Sequence, residues 1–156
     1  MAINAVWKFE KRAMLVKRDF ESAFRHVPVS PLDCPPPWSE WQGIYYVERL
    51  LPFGLHTAPY LCNLFAEAFH WILKDHFKRN ETEAEVIYCL DDILIELPPD
   101  SNPDAWTTTC SNLSTEVGLS IKETQNEQGN VASLACIELD SHNMVIRLRT
   151  KNLLKA

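Results

Sequence analysis

The stretch VIYCLDDILIEL, Val86–Leu97, sets two adjacent carboxylates inside an apolar run. Val86 to Leu90 lead into Asp91 and Asp92, and Ile93, Leu94 and Ile95 follow at once. The run is rich in Val, Ile and Leu and has no helical period. It reads as two strands joined by a tight turn with the Asp pair at the tip, because aspartate tolerates the left-handed backbone such turns demand. Taken alone, Asp-Asp is an ordinary turn dipeptide. The neighbouring segments decide whether it is more.

Upstream, Leu61, Leu64, Phe65, Ala68, Phe69, Ile72 and Phe77 recur at three- and four-residue steps. This period predicts a helix over Thr57–Lys78, with Thr57 as N-cap, Pro59 in the first turn and one buried face. Before it, GIYYVERLL has the β-branched and aromatic content of a strand. The Pro-rich PVSPLDCPPPWSEW ahead of that can hold neither a helix nor a central strand. AMLVKRDF, Ala13–Phe20, reads as a further strand.

Downstream, PPDSNPD is a loop. Asp104 is expected to cap a helix running through Leu113 to Val117, with Gly118 as its stop. LSIK reads as a strand with Leu119 and Ile121 pointing inward. A last hairpin is expected to pair ASLACIEL with MVIRLR across Asp140-Ser141-His142-Asn143.

The order is β-α-β-β-α-β, the ferredoxin-like pattern of an α+β fold, with a four-stranded antiparallel sheet and both helices on one face. Its first and third strands lie side by side at the centre. Asp19, at the end of the first strand, is therefore expected near Asp91 and Asp92, at the turn after the third. Three converging carboxylates repel strongly unless neutralised. Oxygen ligands without nearby His or Cys suit Mg²⁺ or Mn²⁺. Two such ions about 3.5–4 Å apart serve phosphoryl transfer.

With 156 residues, 46% of them hydrophobic, the chain fits one domain with a sizeable core. The N-terminal residues carry scattered charges, unlike a secretory leader, and no run approaches the ~18 apolar residues of a membrane helix. Five cysteines, an odd number at wide spacing without C-x-x-C, point to a reduced, intracellular setting. The net charge of −6 argues against a nucleic-acid partner. The charge is uneven, however. Lys8, Lys11, Arg12, Lys17, Arg18 and Arg25 crowd the first 30 residues, whereas Lys122 is the only Lys or Arg between residues 81 and 128.

KRDFESAFRHVPVSP, LPFGLHTAPYLCNLF and YCLDD resemble, in order, the first three palm motifs of reverse transcriptases, the third being the YxDD motif. VGLSIKETQ is similar to the fourth, and LACIELDSHNMVIRL to the hairpin that follows it. Retrotransposon enzymes of the DIRS-like and LTR types, with "LPFGL-x-x-AP", are the nearest in pattern. The resemblance covers about residues 13–154. It implies a palm with partial fingers over residues 1–156, residues 31–56 forming a fingers-side insertion, and a C-terminal hairpin. Most of the fingers, the thumb, the connection and the RNase H region are expected to be missing.

The resemblance also implies site residues. Asp19, Asp91 and Asp92 match the metal-binding aspartates, with the Phe20 carbonyl as a lesser ligand and Asp91 the stronger ligand of its pair. Phe24 matches the aromatic that excludes a 2′-hydroxyl on the incoming nucleotide, although a core Phe explains it equally well. Phe53 and Gly54 match the segment lining the nucleotide pocket, where a simple turn before a helix is the plainer reading. Lys122 matches a lysine that donates to departing pyrophosphate; otherwise it is a solvated strand-end lysine. Tyr88 and Cys89 either pack against the primer end or only within the sheet. The implied cofactors are two Mg²⁺ ions, with Mn²⁺ as substitute. The implied partners are dNTP and an RNA or DNA template with its primer, and no membrane. Two further readings stay open: an inert palm remnant that at most binds a partner, and an RNA-recognition module of the same topology, which lacks the aromatic RNP strand.

Overall fold

The computed structural model describes residues 11–30, 32, 39–124 and 126–149. Lys8, Cys34 and half of the Pro-rich stretch fall outside these residues. Strand β1, Met14–Asp19, is buried along nearly all its length. It lies between β5, Asp92–Leu97, and β6, Glu127–Gly129; β4, Glu85–Cys89, completes a sheet of order β4-β5-β1-β6. All its pairings are antiparallel.

Two predictions shift here. The strand beside β1 is the one that leaves the Asp-Asp turn, so the turn precedes that strand rather than following it. The fourth strand is Glu127–Gly129, and LSIK makes only an isolated bridge, Ile121 to Phe20.

Helix α1 runs Ala58–Arg79 and α2 runs Pro103–Glu116. Thr57 stands at the N-cap of α1 but its side chain accepts no capping hydrogen bond: Pro59 in the first turn offers no N–H, and the Thr57 backbone is already helical. Asn102, not Asp104, caps α2: its Oδ1 accepts from the Asp104 amide at 3.0 Å. After Glu116 the chain turns at Gly118, whose positive φ of 74° a glycine adopts without strain.

Alternation along β1 splits its side chains between two cores. Val16 and Phe20 join Ala66, Phe69, Leu73 and Phe77 of α1 and Cys110 of α2 in the larger cluster, together with Val86, Ile93, Ile95 and Leu97. Leu15 and Leu94 face the other way and pack on Ala132, Leu134 and Leu139. Burial among apolar groups pushes the Cys110 thiol up to about 12. Arg18 also points to the helix side, where Nη2 donates to Ser111 Oγ at 2.8 Å.

Leu134 and Leu139 belong to a separate three-stranded sheet of β7, Val131–Leu134, β8, Ile137–Asp140, and β9, Val145–Leu148. ASLACIEL is therefore two strands folded back at Ala135–Cys136, and only its second half pairs with β9. GIYYVERLL also shortens. Ile44–Tyr46, β3, pairs with Ser39–Trp41, β2, in an exposed ribbon, and Leu50 bridges Pro28 instead. Among the described residues no helix is long and apolar enough to cross a membrane.

Candidate active site

Register brings the carboxylates together. Asp19, the last residue of β1, pairs across the sheet with Asp92, the first residue of β5. The Phe20 amide donates to the Asp91 carbonyl at 2.9 Å, which ties the turn to the end of β1. Leu90, not an aspartate, takes the left-handed conformation in that turn, with φ 55°. Its side chain stays partly exposed while Asp91 and Asp92 are half-buried.

The segment around Lys122 is clasped against the same end of β1. The Lys122 amide donates to the Asp19 carbonyl at 2.9 Å, and the Glu21 amide donates to the Ser120 carbonyl at 2.8 Å. His26 adds a third tie, its Nε2 accepting from the Ser120 amide at 3.0 Å. Lys122 Nζ then lies 2.9 Å from Asp19 Oδ2. That hydrogen bond, strengthened by the charges of all three aspartates, holds the ammonium above its usual range.

The three aspartates stand in different environments. Asp19 gives one oxygen to Lys122; its other, Oδ1, is buried and has no hydrogen-bond partner. Asp92 gives Oδ1 to Lys17 Nζ at 2.9 Å and Oδ2 to the Ala135 amide at 2.8 Å. Burial pushes the Asp91 carboxyl up, and repulsion from Asp19 and Asp92 adds to it. Among the described residues no three His, Cys, Asp or Glu side chains stand in an arrangement that could hold a metal ion. The donor chemistry nonetheless fits a hard divalent cation: an orphaned Asp19 oxygen beside a carboxyl that resists ionisation lacks a positive charge.

The remaining residues form two groups. Phe20 is buried, edge-on to Phe69 at 5.5 Å, so only its backbone faces the acidic end. Phe24, in the 3-10 turn Ala23–His26, meets Phe53 edge-on at 5.0 Å. Phe53 is largely exposed, and Gly54 has φ 91° with open space where a Cβ would stand. Phe24 packs on the small cluster of Val27, Leu51 and Ala58.

The tyrosine of YCLDD stands three positions before Asp91, one further than YxDD spacing requires; Cys89 holds the nearer position. Strand alternation makes this matter. Tyr88 packs with the helix-side cluster and lies 4.9 Å from the His70 ring, whereas Cys89 is exposed opposite Asp92. Partial desolvation by its neighbours and the charges of Asp92 and Asp91 raise the Cys89 thiol. Tyr88 thus packs against the helix side of the sheet.

Lys17 and the Ala135 amide were not legible as site groups. The signal for Lys17 lay in strand alternation, since Leu15, Lys17 and Asp19 share one face. Nothing in the sequence pointed to Ala135.

A four-stranded antiparallel sheet, helices on one face and paired acids at a strand end define an α+β domain of the kind found in reverse transcriptases. Residues 2–129 match the family model "Reverse transcriptase (RNA-dependent DNA polymerase)", and the chain belongs to that family. No curated protein matches the chain. Its fold is similar to a foamy viral protease-reverse transcriptase solved in complex with an RNA/DNA hybrid, with a TM-score of 0.69 at 13% identity. The likeness covers 98% of this chain but only 19% of that one.

Proposed function

We propose that this chain is the palm, with partial fingers, of an enzyme that extends a primer 3′-hydroxyl with deoxynucleotides on an RNA or DNA template. The observation that carries the reading is the pairing of Asp19 with Asp92 beside the Phe20–Asp91 hydrogen bond, which gathers three carboxylates from distant segments. The family assignment supports the reaction class. The sheet order supports the ferredoxin-like palm. The "LPFGL-x-x-AP" pattern supports a retrotransposon of DIRS-like or LTR type, with residues 31–56 as the fingers-side insertion.

Asp19 and Asp91, with Asp92 beside them and the Phe20 carbonyl as a lesser ligand, would hold two Mg²⁺ ions, for which Mn²⁺ could substitute. When bound, such ions activate an attacking hydroxyl and stabilise a leaving oxygen. The chain's own groups do the rest. Phe24 and Phe53 form an aromatic corner against which a deoxyribose would pack, and a ring there leaves no room for a 2′-hydroxyl. Gly54 lets backbone approach a base closely. Lys122, once released from Asp19, carries the positive charge and proton that departing pyrophosphate needs.

Primer extension on an RNA template with Mg²⁺ or Mn²⁺ tests this, with the chain alone and with it joined to upstream fingers from a related enzyme. Extension that Asp91→Asn lowers by about a thousandfold or more is the expected result, the scale of losing a group used in the transition state. Metal-dependent extension that survives Asp91→Asn, or none with either protein, overturns it.

A further inference from the structure

Asp92 differs from the other two acids because both its oxygens are engaged. Oδ1 takes the Lys17 ammonium and Oδ2 takes the Ala135 amide. Lys17 is a nearly buried lysine, with 7% of its side chain exposed, so its charge is held where water cannot replace the partner. Ala135 belongs to a turn exposed to solvent and has a positive φ of 52°, a conformation an alanine does not favour. Something must hold that turn, and the Asp92 carboxylate does so.

The three-stranded sheet is fastened at two ends. At the far end Ser141 Oγ donates to the Ala13 carbonyl at 2.6 Å, the Arg12 amide donates to the Ser141 carbonyl at 3.0 Å, and Asn130 Nδ2 donates to the Ala13 carbonyl at 3.1 Å. Toward the acidic end the Ala135 amide donates to Asp92 at 2.8 Å, and Glu127 of β6 takes the Ser133 amide at 2.7 Å and Arg149 Nη2 at 3.0 Å. Between them lie the apolar contacts of Leu15 and Leu94 with Ala132, Leu134 and Leu139.

We propose that Lys17 is a positioning residue: with the Ala135 amide it locks Asp92 as a strut that fixes the β7–β8 turn at the rim of the acidic site. Asp19, whose Oδ1 has no hydrogen-bond partner, and Asp91, whose carboxyl takes its hydrogen bond from its own backbone, then supply the ligands. This assignment rests on the metal reading above, whereas the strut stands without it. The turn stays in register with the carboxylates because a buried ammonium holds Asp92 still.

Amide exchange followed by NMR on the intact chain tests the strut. Lys17→Met should speed exchange at Ala135 about tenfold while leaving Ser133, on the same three-stranded sheet but with its amide donating to Glu127 of β6, within about twofold. Lys17→Arg should restore Ala135, since a guanidinium reaches the same carboxylate. Unchanged exchange at Ala135 in Lys17→Met, or an equal rise at Ser133, refutes the strut, the second because it reports general loosening. Mn²⁺ calorimetry tests the ligand assignment: Asp92→Ala should weaken binding by about threefold or less, and Asp91→Asn by about thirtyfold or more. Equal losses refute the assignment. If wild type binds no Mn²⁺, the metal reading fails with it, and the exchange data still decide the strut.

Discussion

At the scale of single residues the acidic site is unstable by construction. Asp91 is pushed toward its protonated form by burial and by Asp19 and Asp92. An acid whose pKa rises on folding binds its proton more tightly in the native state. Stability therefore falls as pH climbs through the ordinary carboxylate range up to the raised value, and stays lower above it. Replacing the charge by an isosteric amide removes that penalty. Asp91→Asn should melt higher than wild type near neutral pH, and the difference should shrink in acid, where wild type is protonated as well. Thermal melts across pH check this. A variant that melts lower at neutral pH would mean that Asp91 makes a stabilising contact outweighing its repulsion.

At the scale of elements, turns are where sequence and structure part most. The β2–β3 ribbon turns through Gln42 and Gly43, both at positive φ, 52° and 76°. Two left-handed residues in a two-residue hairpin are what Asn-Gly supplies best. Gln42→Asn should stabilise the ribbon by about 0.5–1 kcal/mol, slowing exchange of the Ile44 amide about two- to fivefold. No slowing would show that the ribbon is held by something other than its turn. The same physics explains the misread Asp-Asp tip. Aspartate's tolerance of the left-handed conformation points to Asp91 or Asp92, but Leu90 takes it, because strand register requires Asp92 to open β5 opposite Asp19. Long periodic segments were legible: Thr57–Lys78 became Ala58–Arg79, since apolar spacing outweighs end effects. LSIK was not, because four alternating residues can face a core in a clasp as well as in a strand. The aspartates were visible as a type and the order of motifs said where to look. Lys17 and Ala135 were hidden because their role exists only when a distant hairpin folds onto the sheet.

For the whole molecule, the central sheet is sandwiched unequally. Among the described residues, eleven buried ones form the helix-side cluster and five the cluster under the three-stranded sheet. The smaller cluster carries the docking of β7–β9, so it is the place where one methylene matters most to the position of the Ala135 turn. Leu139 is wholly buried at its centre. Truncating a buried leucine removes its transfer energy and leaves a cavity that neighbours fill only in part. Leu139→Ala should lower stability by about 2–4 kcal/mol in urea unfolding. The slope of that transition carries further information, because it scales with the surface exposed in one cooperative step. An unchanged slope means that both cores unfold together, and the strut at Asp92 links parts of one unit. A shallower slope, with Ala135 exchanging fast while α1 stays protected, means that the three-stranded sheet peels away by itself. The site would then lose its rim before it loses its aspartates, since Asp19 and Asp92 belong to the helix-backed sheet and Ala135 does not.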